Sequence, residues 1–250
     1  MSAHVTWELR WYHGSSSLYD EGPFCIFLYT FFKIVIGKER SQLKKERMER
    51  RIIKSEYQDV RLNSTLLEHP DSRGLCVIFP GKRYTVNKPL LYYPLRLAMA
   101  KGYNLLILSY GKFPLNERTS YTMKHLIKGV IEQVLAEDSQ RKDLIFISKS
   151  VGALFAAETA VAMGEGYSPR CIYLTPLNQM VEAMAKTDFM AVSGSEDRLL
   201  DHNRAFKLLG YKEDRLKIVH GADHSLNAPI VYDSLRILEE VLDDIDRFIE

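Results

Sequence analysis

A mostly parallel β-sheet with helices on both faces is the fold this chain predicts from about Lys54 to its end. Three observations carry that expectation. Short apolar runs of strand length alternate with longer amphipathic runs, the order that βαβ units require. The short runs are continuously apolar rather than alternating, as in strands buried on both faces. The connections between them are brief, with no internal repeat and no low-complexity stretch.

The elements follow in order. Tyr57 to Leu62 and Ser64 to Glu68 predict a hairpin with Asn63 at its turn. Leu75 to Phe79 is a buried strand that ends in Pro80-Gly81, with a loop over Lys82 to Asn87. Pro89 to Lys101 places Leu90, Leu91, Leu95, Ala98 and Met99 on one helical side, and Gly102 closes it. Leu105 to Ser109 is the next strand. Ser120 to Ala136 is an amphipathic helix through Met123, Ile127, Val130, Ile131 and Val134. Leu144 to Ile147 is a strand, and Val151 to Met163 is a helix whose alanines suit close packing on the sheet. Cys171 to Leu174 and Phe189 to Val192 are two further strands, separated by one short helical piece at Asn178 to Ala185. Arg198 to Leu209 is a helix, Leu216 to Val219 the last strand, and Pro229 to Ile249 a long closing helix. One domain, residues 55–250, accounts for all of this, preceded by an extension over residues 1–54.

Composition narrows the function classes. A chain of 250 residues that is 46% hydrophobic and 26% charged supports a sizeable core. Its formal net charge of +2 gives no case for nucleic acid, whose binders usually show a concentrated basic face. Cys25, Cys76 and Cys171 have neither metal-binding nor redox spacing, and the last two fall inside strand runs as small core residues. A reducing compartment, the cytoplasm, is therefore expected, with no metal and no cofactor.

The extension reads differently. Phe24 to Gly37 is strongly apolar but only 14 residues long and broken by Lys33, whereas a spanning helix needs about 20 apolar residues. It lacks the basic start and small-residue cleavage site of a secretory signal. Lys38 to Lys54 is mostly basic and helix-forming. Three readings of this segment stand open. Residues 24–54 associate with a membrane, basic side toward the cytoplasm; or they pack as a helix on the domain or a partner; or they are a tail outside the functional fold, upstream of a start at Met48.

The chemistry centres on Ser150, in Ile147-Ser148-Lys149-Ser150-Val151-Gly152. A serine on a sharp turn between strand and helix stands above the sheet edge, with the next backbone N–H groups aimed at the same place. The pattern is S-x-S-x-G, one step from G-x-S-x-G. Acyl transfer by such a serine needs a base to take its proton and a carboxylate to hold the base in the right tautomer. Asp197 follows one late strand and His224 the next, in the order that a strand–turn–helix nucleophile implies. Glu196 shares the turn of Asp197 but points elsewhere, Asp201 falls within a helix, and Asp223 is too close to His224 to reach its ring. His220 leaves the strand end directly, so His224 is the preferred base. His220, Asp223 and His224 make a poor metal site. For the developing oxyanion, the N–H groups of Val151 and Lys82 are the expected donors. Gly81 lets that backbone approach, and Pro80 has no N–H to give.

On the Phe79-Pro80-Gly81 loop, the SKSVG elbow, the Gly194-x-x-Asp197 turn and the Gly221-Ala222-Asp223-His224 loop, the chain resembles the α/β-hydrolase superfamily. It is similar more narrowly to small lidless bacterial members, and around His224 to the dienelactone-hydrolase-like branch, which carries cysteine where this chain has Ser150. The resemblance covers about Leu75 to Glu250. It implies Ser150 as nucleophile, His224 as general base and Asp197 as its orienter. Thr175 to Asp188 leaves room for one short helix, so an open site without a lid is expected. Lys82, Arg83, Tyr84, Tyr110 and Lys149 are expected at its rim, with Gly81, Tyr84 and Tyr110 touching a small polar or anionic acyl substrate. Ester hydrolysis through a Ser150 acyl-enzyme is the leading reading. A thioesterase or amidase would use the same residues, and a non-catalytic binding module on the same fold is the alternative from another class.

Overall fold

The computed structural model describes residues 48–250, apart from 58–59, 111–115 and 138–142. The apolar run Phe24 to Gly37, and the basic stretch as far as residue 47, lie outside the described residues. Eight strands form one sheet: β1 (Glu49–Tyr57), β2 (Val60–Glu68), β3 (Gly74–Phe79), β4 (Tyr103–Tyr110), β5 (Asp143–Lys149), β6 (Arg170–Leu174), β7 (Asp188–Gly194) and β8 (Leu216–Val219). Their order across the sheet is β1-β2-β4-β3-β5-β6-β7-β8. The β1–β2 and β2–β4 pairs are antiparallel, and every later pair is parallel.

The helices are α1 (Pro89–Ala100), α2 (Glu117–Ala136), α3 (Val151–Met163), α4 (Val181–Met184), α5 (His202–Leu209) and α6 (Val231–Ile249). They cover both faces. Leu75, Val77 and Phe79 of β3 point into a core with Met123 and Ile127 of α2 and Phe155 of α3. Cys76 and Ile78, the alternate residues, point into a second core with Leu91 of α1 and Val241 and Ile245 of α6. Side chains alternate across a strand, so a strand covered on both sides must be apolar at every position. That is why LCVIF reads as an unbroken run.

Helix starts follow their caps. The sequence pattern starts one helix at Ser120, but the chain turns helical at Glu117. Asn116 Oδ1 accepts the Thr119 N–H at 3.0 Å, and Thr119 Oγ1 accepts the Asn116 N–H at 3.1 Å. In the same way Asp201 caps α5 by accepting the Arg204 N–H at 3.1 Å, so that helix opens at His202 rather than Arg198.

The largest departure from expectation is at the start. Residues 49–54, assigned above to a helix-forming extension, are the first two-thirds of β1 and belong to the sheet. Asn63 is no turn residue; it sits inside β2, opposite Lys54 on one side and Ser109 on the other. Counting Glu, Arg and Lys as helix formers misleads here because β1 is an edge strand. Charge on an edge discourages pairing with other chains. Its inner side is still tied in: Ile53 is buried, and Arg51 forms ion pairs with Glu68 and Glu137. Among the described residues no helix is long and apolar enough to cross a membrane.

Candidate active site

The parallel strands bring the loops after β3, β5, β7 and β8 to one end of the sheet. β3 and β5 run side by side with Phe79 opposite Ser148, so the loop after β3 abuts the turn after β5. β6, β7 and β8 follow in register on the other side.

Ser150 occupies the turn between β5 and α3 with φ 56° and ψ −118°, a backbone conformation that side chains normally avoid. Its N–H donates to the Leu174 carbonyl at 3.1 Å, which extends the β5–β6 pairing into the turn. Ser148, where glycine is usual, is buried and donates its hydroxyl to the Ile172 carbonyl at 2.8 Å. The departure is thereby absorbed: the hydroxyl is satisfied by the neighbouring strand. Gly152 has no such latitude. A Cβ there would lie 2.2 Å from the Phe79 carbonyl oxygen and 2.4 Å from that of Pro80.

His224 joins the two other residues. Its Nε2 is 2.8 Å from Ser150 Oγ, and its Nδ1 is 2.7 Å from Asp197 Oδ2. Asp197 is 3% exposed. Its Oδ1 accepts the Leu199 N–H at 3.0 Å, and Ser193 Oγ donates to its Oδ2 at 3.4 Å. Burial by itself would raise this carboxyl, but the His224 hydrogen bond, the Leu199 N–H and the nearby charges of His224 and Lys149 outweigh it. The carboxyl is held below its ordinary value and is an anion at neutral pH. The Asp197 turn reaches the histidine loop because β7 ends in glycine. A Cβ on Gly194 would sit 2.0 Å from the Ala222 carbonyl oxygen.

The rival residues are occupied elsewhere. Asp223 Oδ1 accepts the N–H groups of Ser225 and Asn227, shaping the loop that carries His224. Glu196 accepts from Ser195 Oγ, Asp201 caps α5, and His220 is exposed. The Gly81–Tyr84 turn closes with two hydrogen bonds, Gly81 N–H to Tyr84 and Tyr84 N–H to Gly81, both 3.1 Å. That pairing leaves the N–H groups of Lys82 and Arg83 out of the turn. Val151, as the first residue of α3, has an N–H with no partner within the helix.

Between β6 and β7 the chain makes only a 3-10 turn (Asn178–Met180) and the four-residue α4. No family model and no curated protein matches the sequence. Solved structures do. A lidless α/β serine hydrolase from Xanthomonas campestris superposes with a TM-score of 0.59 at 13% identity, over 80% of this chain and 95% of that one. An α/β serine hydrolase homologue from Coxiella burnetii gives 0.57 at 14% identity, over 78% and 96%. Est1E from Butyrivibrio proteoclasticus gives 0.59 at 14%, over 79% and 96%. The chain has the α/β-hydrolase fold. Among the described residues the β6–β7 connection carries no lid, and at these identities the likeness is one of architecture.

On this α/β-hydrolase scaffold the expected rim residues part company. Lys82 and Arg83 are exposed, as expected. Lys149 is not a rim residue: it is 2% exposed, and its ammonium donates to the His224 carbonyl at 2.9 Å. Gly81 packs against it, since a Cβ there would be 3.0 Å from the Lys149 carbonyl oxygen. Tyr84 uses its hydroxyl to accept the Leu90 N–H at 3.1 Å, which caps α1. Tyr110 leans edge-on against Phe155, ring centroids 5.3 Å apart, with its hydroxyl buried. Both tyrosines are engaged within the protein, Tyr84 through its hydroxyl and Tyr110 through its ring. Sequence reading places a lysine or tyrosine at a rim because such side chains are usually exposed. The signal it lacked was the pair of glycine and tyrosine in the β3 loop that seals Lys149 in.

Proposed function

We propose that the chain is a serine hydrolase that cleaves an ester or related acyl bond of a small molecule through an acyl-enzyme on Ser150. The observation that carries this reading is His224, within hydrogen-bond reach of both Ser150 and Asp197 through opposite ring nitrogens. With Nδ1–H donated to the Asp197 carboxylate, Nε2 is the lone-pair nitrogen and faces the serine hydroxyl. It takes the Oγ proton as Oγ adds to the acyl carbon, and the imidazolium is stabilised by the buried carboxylate. The carbonyl oxygen becomes an oxyanion, and the N–H groups of Val151 and Lys82 are its donors, each worth about 3 kcal/mol in such sites. The imidazolium then protonates the leaving group, and a water, deprotonated by His224 in turn, releases the acid and regenerates Ser150.

Alcohol, thiol and amine leaving groups all fit this sequence of steps, and the open site favours accessible esters. Est1E has been observed with ferulic acid bound, which makes aryl esters an apt first panel alongside p-nitrophenyl esters and acyl-thioesters of graded length. A fluorophosphonate probe is expected to label the intact protein and to fail with Ser150→Ala. Equal labelling of both, or of neither, overturns the reading.

A further inference from the structure

We propose that Lys149 is a positioning residue, whose buried ammonium holds the His224 loop and the Gly81–Tyr84 loop in the arrangement that Ser150 requires. The inference rests on the acyl-enzyme reading above, and it concerns a residue that reading does not use.

Lys149 is the last residue of β5, adjacent to Ser150, yet its side chain runs beneath the site. Its Nζ donates to the backbone carbonyl of His224 at 2.9 Å. The same Nζ lies 4.8 Å from the centre of the Tyr84 ring, within cation–π range. Its stem packs on the β3 loop, where a Cβ on Gly81 would stand 3.3 Å from Lys149 Cδ. One side chain thus ties together the strand of the nucleophile, the loop of the expected oxyanion donor and the loop of the base. Burying an ammonium is costly, and an apolar side chain of similar length would fill the volume without that cost. What methionine or leucine would lack is the charge-assisted bond to His224 and the attraction to the Tyr84 face.

The charge is finely held. Burial is the largest influence and lowers Lys149 to about 8; Asp197 and Asp223 favour the ammonium, and Lys88 opposes it. These groups, with Tyr84 and His224, are the ionisable and charged neighbours from the elements around it. Lys88 approaches the same Tyr84 ring, at 5.4 Å. Below that value the clamp is cationic. Above it the amine can still donate to His224, but the charge assistance and the cation–π contact are lost. His224 then loses part of its fixed placement, and a displacement of about 1 Å at such a site costs on the order of a hundredfold in rate.

The test is the second-order rate of fluorophosphonate labelling of the full chain from about pH 6 to about pH 10. Wild type is expected to decline with a midpoint of about 8. Lys149→Met is expected to label at least about tenfold more slowly at neutral pH and to show no alkaline decline. Lys149→Arg, which keeps its charge throughout, is expected to recover part of the rate and also to lack the decline. Lys88→Gln alters an exposed residue whose ammonium stands 5.4 Å from the Tyr84 ring. It is expected to move the wild-type midpoint upward, because one opposing charge is gone. An unchanged alkaline decline in Lys149→Met overturns the proposal. If that variant does not fold, a Lys149→Arg variant that keeps the wild-type alkaline decline overturns it. Failure of the acyl-enzyme reading is seen separately, as absence of wild-type labelling at every pH or labelling that survives Ser150→Ala.

Discussion

Asp197→Asn is expected to lower kcat on an activated ester by about 10⁴ while leaving the fold in place. The size follows from how the carboxylate is held. Oδ1 accepts the Leu199 N–H at 3.0 Å, so an asparagine at 197 must keep its oxygen there. Its NH₂ group then occupies the place of Oδ2, facing His224 Nδ1. A donor opposite Nδ1 forces the imidazole into the other tautomer, with the proton on Nε2. That nitrogen faces Ser150 Oγ and can no longer accept its proton. The variant keeps shape and loses only direction of proton transfer. Steady-state hydrolysis of a p-nitrophenyl ester measures it, with a thermal melt beside it to show that the protein is folded. A rate within tenfold of wild type would mean that His224 does not work as the base.

Gly152→Ala is expected to damage both stability and activity, by a route that touches none of the Ser150, Asp197 and His224 side chains. The added carbon would lie 2.2 Å from the Phe79 oxygen and 2.4 Å from the Pro80 oxygen. Both are backbone atoms at the end of β3, so neither can rotate away, and α3 must move off the sheet. Forced overpacking of this kind costs about 1–3 kcal/mol. The same displacement separates the Val151 N–H from the loop that carries the Lys82 N–H, and losing one such donor costs about 10²–10³ in kcat. A melting temperature lowered by several degrees, together with a labelling rate lowered at least about tenfold, is the expected pair of results. A melt and a labelling rate both equal to wild type would show that the two segments are not in contact.

The legible part of this molecule is the part governed by local pattern. LCVIF could be assigned because a strand covered on both sides has no polar position, and Ser150 because a serine between such a strand and an alanine-rich helix has few structural uses. That Asp197 and His224 come to the same end of the sheet as Ser150 is legible from their order and from their places just past two strands of the parallel series. What escaped depends on neighbours far away in sequence. β1 looked helical because its charges serve an outer edge, and only its pairing with β2 reveals that. Lys149 and Tyr84 looked exposed because the residues that enclose them, Gly81 and Leu90 among them, come together only through the β3–β5 pairing and the start of α1. Tyr110 depends in the same way on Phe155, across the gap between β4 and α3.

The backbone of Ser150 has one more consequence. At φ 56° and ψ −118° the penalty falls on any side chain with a Cβ, whatever its chemistry, and is of order 1–3 kcal/mol. Glycine alone escapes it. Ser150→Gly is thus expected to melt above the wild type although it cannot form an acyl-enzyme, whereas Ser150→Ala keeps the strain and removes only the hydroxyl. Thermal robustness and the proposed chemistry thus make opposite demands on this one position.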